Sequence, residues 1–518
     1  MTRAAEILPV LSRWFKHLIR RRRPTEIILL IWVTVPALTL ILLLVANLRK
    51  PWEFDESYNL QVVENLRAGH GFASNGAYRG VGPYEFDPWV STGPSVLLPI
   101  WVVAEILRST FVAARLVMFT YFALLIASIR RLLPRNGEGS LLFGALLILI
   151  APVVSATNPL YVLGEIPAIA LIVTATWAAW SHRYGLAGWL CGMVVLCKLN
   201  FVIATGVLLL LLVSRVILDR TSSRRDMIKS VTRLVVGCVA PIFLFELYRL
   251  ISLGGIGAYR QNINELRTFI STQRLDDWTL APGLFGDKVR QLAHILPTSG
   301  WTLLAVAVLV IVATGKATRE REGSNSFAVA GGVLIAPVMV ILGTFLFLSN
   351  VPFIRQGAGT LLLLIPVPVM IAMERLLTLS RDSAKRVRFP GIATLGGMIL
   401  LMIPFALSEF VDARSDATSD RIGSAAAEQR NVARIVRDSG ATGIVLDGWF
   451  QNPELQLLSG VPALSMPGTA ERPIIVVADT KFYFGIAGSL QEEAGRCGEI
   501  LYQSDRWLVC WPLDETST

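Results

Sequence analysis

The stretch KPWEFDESYNLQVVENLRAGHGF, Lys50 to Phe72, decides how this chain is read. It follows the first long apolar run and carries four carboxylates, Glu53, Asp55, Glu56 and Glu64, beside an expected membrane edge. Those acids belong either to an ordinary solvated loop or to a reaction centre. The rest of the chain decides which face they occupy and what meets them there.

Of the 518 residues, 53% are hydrophobic and 17% charged, and the mean hydropathy is +0.57. A soluble domain of this length is far more polar. The apolar residues come in runs of about 17 to 25, the length that crosses a bilayer core of ~30 Å. The chain therefore reads as a polytopic all-α membrane protein. Its net charge of +10 does not point to nucleic acid, because the basic residues sit in short loops between apolar runs, as the positive-inside bias requires. The first run, Ile27 to Ala46, follows RRRR at Arg20 to Arg23 and has no small-residue cleavage site after it. It reads as a retained span behind a basic cytoplasmic N-terminus, residues 1–24.

The basic loops are Arg20 to Arg23; Arg130, Arg131 and Arg135; His182 and Arg183; Arg220 to Arg233; Lys316 to Arg321; and Arg375 to Arg388. If all face the cytoplasm, an even number of crossings separates each from the next. That parity makes STGPSVLLPIWVVAEIL, from Ser91, a helix lying on or dipping into the outer face. It also divides the apolar stretch from Gly185 to Val213 into two short spans turning at Lys198. A single helix there would leave a lysine in mid-membrane at a cost of about 2.5–3.5 kcal/mol or more. Eleven spans result, at roughly 26–47, 111–128, 141–157, 166–180, 185–197, 201–218, 231–251, 298–315, 327–348, 357–373 and 391–408. The outer side receives residues 48–110, 158–165, 252–297, 349–356 and everything after about 409.

Residues 410–518 read as a separate small α/β domain outside the membrane. SAAAEQRNVARIVRDSG has helical periodicity ending at Gly440, GIVLDG and PIIVVAD read as buried strands, and NPELQLLSG and KFYFGIAGSLQEEAG read as helices between strands. EILYQSDRWLVCW reads as a hairpin turning at Ser504-Asp505. Cys497 and Cys510 either bridge this hairpin or remain two thiols. Cys191, Cys197 and Cys238 fall in apolar runs and are expected to pack.

The Asp55-Glu56 pair opens an expected helix whose apolar positions, Tyr58, Leu60, Val62, Val63 and Leu66, suit packing on the membrane domain. A glycine-rich aromatic segment follows, GHGFASNGAYRGVGPYEFDPWVSTGP, of the kind that wraps a ligand. Glu165, in NPLYVLGEIP, returns to the same face. Basic residues there are few: Lys198, Arg355 in NVPFIRQGAG, Arg79, Arg260 and His294. Lys198 and Arg355 either snorkel to headgroups or hold an anionic group such as a lipid phosphate.

FDESYNLQVVENLRAGHGF, just after the first span, resembles the acidic signature of the GT-C superfamily of membrane glycosyltransferases. That superfamily includes the protein O-mannosyltransferases, the lipid A aminoarabinose transferase and the rhizobial galacturonosyltransferases. The resemblance extends to STGPSVLLPIW as a juxtamembrane helix, ARLVMFTYFALLIASIRRLL as second span, GEIPAIAL, and LCKLNF as a lysine turn. It covers about the first 200 residues well and the remainder mainly by topology. It implies transfer of a sugar from a polyprenyl-phosphate carrier to an envelope lipid, glycan or protein at the outer face of the plasma membrane. By its match to the acidic position, Asp55 is the expected general base of an inverting transfer, with Glu56 orienting it or the substrate. Glu165 is expected to position donor or acceptor, and Lys198 and Arg355 to meet the leaving phosphate. Tyr58 and Arg79 are further candidate substrate contacts. Glu53 and Glu64 are read as solvated. The long loop 252–297 is expected to cover the site. No DxD motif occurs in the first loop, so a tightly bound divalent metal is not supported and no cofactor is assigned. KLN also stands where the family more often has a lysine-aromatic pair.

Two other readings compete. A transporter or flippase of a lipid-linked glycan would show internal repeats and discontinuous spans near the midplane. No repeat is visible, and the acids lie at the edge. A non-catalytic scaffold would use the tail domain to bind an envelope partner.

Overall fold

The computed structural model describes residues 24–75, 83–218, 223–272, 282–295, 298–319, 327–348, 355–382, 385–418, 420–446, 452–464, 471–478 and 497–513. Helix α1, Pro24–Leu48, is followed by α2, Phe54–Arg67, and by a two-residue ladder of β1, Ala73–Ser74, with β2, Tyr84–Glu85. Then come α3, Pro94–Leu107; α4, Thr110–Leu132; α5, Gly137–Thr157; α6, Glu165–Trp180; and α7, Tyr184–Val195. A short 3₁₀ turn, Leu199–Phe201, leads into α8, Val202–Leu218, and α9, Arg224–Ser252. The long loop holds α10, Ile256–Thr272, and α11, Pro282–Ile295. The remaining helices of the bundle are α12, Thr298–Arg319; α13, Phe327–Leu348; α14, Arg355–Leu364; α15, Pro366–Asp382; and α16, Lys385–Thr418.

Among the described residues, seven helical stretches are long and apolar enough to cross a membrane: 26–48, 110–132, 137–156, 199–218, 224–252, 327–347 and 360–379. Of the shorter apolar helices, Glu165–Trp180, Tyr184–Val195, Gly300–Thr314 and Ala393–Ile403 coincide with the other four expected spans. The fifth short one is α3, the STGP helix that charge parity had set apart. The chain is a multi-pass membrane protein.

Several boundaries follow local chemistry. Pro94 opens α3, where its missing N–H is harmless. Ser109 and Asn136 cap α4 and α5 by accepting from Val112 N and Gly139 N. Lys198 is extended, at φ −162° and ψ 129°, and breaks the helix between α7 and α8. The expected span at 357–373 is instead two helices meeting at Ile365, because Pro366 cannot donate into the preceding turn. Helix α16 passes through residue 409 unbroken, since LSEFVDARSDAT contains neither glycine nor proline. Helices α7 and α9 approach closely: a Cβ on Gly188 would lie 2.0 Å from Leu234 O, and one on Gly192 2.2 Å from Cys238 O.

The C-terminal unit begins with α17, Asp420–Asp438, which ends before Gly440 at φ +70°. Strands β3, Gly443–Leu446; β4, Ala463–Leu464; β5, Pro473–Ala478; β6, Cys497–Gln503; and β7, Trp507–Pro512 form one sheet, with α18, Asn452–Ser459, between β3 and β4. The strand order is β4-β3-β5-β7-β6. The first three strands run parallel, with Ile444 opposite Ile474, and β7 and β6 are antiparallel. Val432, Val436, Leu455, Ile474, Val476, Trp507 and Val509 form its core. The hairpin turns where expected, with Ser504 N donating to Trp507 O at 2.8 Å. Cys497 and Cys510 are joined, their Cα atoms 5.6 Å apart. The expected helix at KFYFGIAGSLQEEAG lies outside the described residues.

Candidate active site

The Asp55-Glu56 pair occupies the first turn of α2, where the helix dipole favours ionised acids. The two side chains have different surroundings. Glu56 is 1% exposed, and both of its oxygens are engaged by the Arg115 guanidinium of α4. Its Oε1 also accepts from Val162 N at 3.1 Å. Burial raises the Glu56 carboxyl to about 6, outweighing Arg115 and the hydrogen bonds, which pull the other way. Asp55 is only half-buried. One acid is thus held at both oxygens by Arg115, while its neighbour is half-buried at the start of the same helix.

Arg115 had passed in the sequence as one residue of an apolar run. It also donates to Leu160 O at 2.7 Å and lies 4.0 Å from the centre of the Trp52 ring. Its signal was a lone cation early in a span, on the side that carries a surplus of acids. Glu53, read as solvated, accepts from the Tyr161 hydroxyl at 2.5 Å. Glu64 pairs with Arg67 three residues on, half-exposed.

The loop 158–164 ties these parts together. Glu56 takes the N–H of Val162, and Asn59, one turn later on α2, donates to its carbonyl at 2.8 Å. Asn59 also donates to Thr92 Oγ1 at 2.9 Å. At the other end of the loop, Glu165 opens α6 and pairs with Lys198 Nζ at 2.5 Å, both side chains less than a tenth exposed. Lys198 is therefore one member of a buried ion pair, with Glu165 as its counter-ion. Glu165 Oε2 has no hydrogen-bond partner among the described residues.

Two glycines make this convergence possible. Gly93 N donates to Cys197 O at 2.8 Å, and a Cβ on Gly93 would lie 2.2 Å from Leu196 O. A Cβ on Gly164 would lie 2.4 Å from Cys197 O and 2.9 Å from Lys198 Cβ. Gly164→Ala is expected to push the lysine turn away and to cost about 1–3 kcal/mol, as overpacking does. The check is the thermal unfolding midpoint of the purified protein, with Gly206→Ala as control. No atom lies within 4 Å of a Cβ at Gly206, and its midpoint should not fall.

Tyr58, a candidate substrate contact, is buried; its hydroxyl donates to Asp87 and lies 3.3 Å from Ser74 Oγ. It shapes the first loop from within. Arg79 lies outside the described residues. Arg355 begins α14, but its side chain lies outside them, as does that of His294. Arg260 is exposed on α10. Part of the long loop does pack over the first. Tyr84 donates to Glu265 Oε2 at 2.5 Å, Trp89 lies 4.9 Å from Phe269, and Asn262 bonds both Arg249 and Phe86 O. The C-terminal unit closes the other side. Gln429 bonds both the N–H and the carbonyl of Trp52 at 3.0 Å, and α18 packs along α2. Among the described residues, no group of three or more His, Cys, Asp or Glu is placed to hold a metal ion.

This helical bundle, followed by a small mixed α/β unit, is similar in fold to solved structures of ArnT and of an oligosaccharyltransferase. ArnT from Cupriavidus metallidurans, solved with undecaprenyl phosphate, superimposes with a TM-score of 0.55 at 11% identity, covering 96% of this chain and 100% of that one. Its apo form gives 0.51 at 11% identity, covering 92% and 97%. The apo oligosaccharyltransferase of Archaeoglobus fulgidus gives 0.51 at 11% identity, covering 90% of this chain and 73% of that one. No protein-family model matches the sequence, and neither does any curated protein.

Proposed function

We propose that this chain is a membrane glycosyltransferase that moves a sugar from a polyprenyl-phosphate donor to a hydroxyl of an envelope lipid, glycan or protein. Its N-terminus is cytoplasmic, and transfer takes place at the outer face of the plasma membrane. The observation that carries the reading is the division of labour in α2. Arg115 and Val162 fix Glu56, so its neighbour Asp55 is held half-buried in a defined place. The fold shared with ArnT, itself bound to undecaprenyl phosphate, supplies the donor class.

In the proposed reaction the acceptor oxygen attacks the anomeric carbon while Asp55 takes its proton. The bond from that carbon to the phosphate oxygen breaks on the opposite face, so the configuration inverts. The polyprenyl phosphate leaves with the electron pair. A phosphate leaves readily without protonation, so a cation serves it better than a general acid. Lys198 is that cation. Glu165 takes one of the three ammonium donors, which fixes the nitrogen while leaving it able to meet a phosphate oxygen. Arg355 is a second candidate for the same anion, and Arg79 remains a candidate contact. The reading assigns no metal. The acids open the helix that follows the first apolar helix rather than interrupting a span, which favours transfer over transport, because a carried glycan would need partners near the midplane.

The test is mass spectrometry of envelope lipids, glycans and proteins from a strain lacking this chain. The expected result is a missing sugar on one envelope component and an accumulated polyprenyl-phosphate sugar. An unchanged envelope with the chain normally expressed in the parent would count against the proposal.

A further inference from the structure

The C-terminal unit places one more acid against the candidate site. Gln456 of α18 accepts from Gln61 of α2 at 3.3 Å. Two residues earlier, Glu454 stands in the first turn of α18. It is 2% exposed, and its Oε2 has no hydrogen-bond partner among the described residues. Burial holds its carboxyl well above the usual carboxylate range, and the nearby charges of Glu53, Asp55 and Glu56 push it further up, against the opposing pull of its own backbone N–H. The bland alternative is a packing residue in the contact between two units. A leucine or methionine would fill that role without the cost of burying an incompletely bonded carboxyl.

Helix α18 packs against α2, α17 and β4, and the charges that bear on Glu454 are those of Glu53, Asp55 and Glu56. On α2, Glu56 is held by Arg115, and Glu64 pairs with Arg67. On α17, Glu428 pairs with Arg506, while Arg430, Arg434, Arg437 and Asp438 are exposed. Strand β4 contributes only Ala463 and Leu464.

We infer that the C-terminal unit completes the acceptor side of the site, with the Glu454 carboxyl donating a hydrogen bond to an oxygen of a hydroxyl-bearing acceptor. The inference rests on the transferase reading. The donor phosphate belongs at Lys198, and a group of acids repels it. An uncharged acceptor hydroxyl is suited to a cluster in which one carboxylate accepts its proton and a neighbouring protonated carboxyl donates a hydrogen bond. The role also explains why the unit is docked on α2: Glu454 reaches the site only through that contact.

Two measurements on the full chain test this. Infrared spectra of the purified protein in nanodiscs at neutral pH should contain the carbonyl stretch of a protonated carboxyl that Glu454→Gln removes. In the strain lacking the chain, Glu454→Gln, which keeps a neutral donor, should restore the missing envelope sugar. Glu454→Ala should lower its rate of formation about tenfold, the worth of one hydrogen bond, at equal levels of inserted protein. An unchanged infrared band in Glu454→Gln, or full restoration by Glu454→Ala, would overturn the inference. If Glu454→Ala does not insert, the infrared band and Glu454→Gln decide the matter. Asp55→Asn is run beside them. Restoration at the parental rate by Asp55→Asn would remove Asp55 as base; the transferase reading itself fails if the deletion strain lacks no envelope sugar, and full restoration by Glu454→Ala alone fails only the role of Glu454.

Discussion

Asp55→Asn should yield a folded, inserted chain that transfers sugar 100- to 10,000-fold more slowly, roughly the contribution of a positioned general base. Asn keeps the size of the side chain and its place in the first turn of α2. Asp55 is half-buried, so the exchange uncovers no cavity and leaves no deeply buried polar group. What it removes is the carboxylate that accepts the acceptor's proton. The nearest acid does not replace it, because both oxygens of Glu56 are held by Arg115. The measurement is the rate at which the missing envelope sugar returns when the variant is expressed in the deletion strain, at matched levels of protein in the membrane. An unchanged rate would remove Asp55 as base.

Arg115→Ala should have the largest effect on stability, a loss of about 3–5 kcal/mol, because it leaves the buried Glu56 carboxylate without its counter-charge. The guanidinium also donates to Leu160 O and covers Trp52, so the loop carrying Val162 and Glu165 loses an anchor in the same step. The double variant Arg115→Met with Glu56→Leu should recover much of the thermal midpoint, since an apolar pair of similar volume avoids the desolvation of two charges. It should not recover activity, because Val162 N still lacks the Glu56 acceptor that ties this loop to α2. Thermal unfolding of the three proteins in detergent is the check. A midpoint unchanged in Arg115→Ala would show that the ion pair contributes nothing to holding the loop.

The spans were legible in the sequence because a bilayer leaves the chain few choices. Every backbone group must be bonded internally, so each crossing is written as an apolar helix of suitable length. The turn at Lys198 followed from the cost of a charge in mid-membrane, and the separate helix α3 followed from the basic loops on either side. Pairings were harder to read, because they depend on residues far apart in the chain. Lys198 looked like an available cation until Glu165 proved to be beside it. Glu53 looked solvated, but its partner Tyr161 lies 108 residues away. Arg115 was hidden because one arginine barely changes the hydropathy of a 23-residue helix. Glu454 was hidden for another reason. NPELQLLSG reads as an ordinary amphipathic helix, and nothing in its pattern says that its acid faces a second unit. The ends of α14 and α16 shifted for local reasons, a proline in one case and the lack of any breaker in the other.

In the proposed reaction a lipid monophosphate leaves as the sugar moves. The most direct measurement incubates the purified chain, in nanodiscs, with polyprenyl lipids and envelope extract from the deletion strain, and follows the carrier lipid by mass spectrometry. Release of polyprenyl monophosphate is expected together with appearance of the sugar on the envelope component, and both should be about 100- to 10,000-fold slower with Asp55→Asn. A carrier recovered with its sugar still attached while the active chain is present, or a carrier released as a diphosphate, would contradict it.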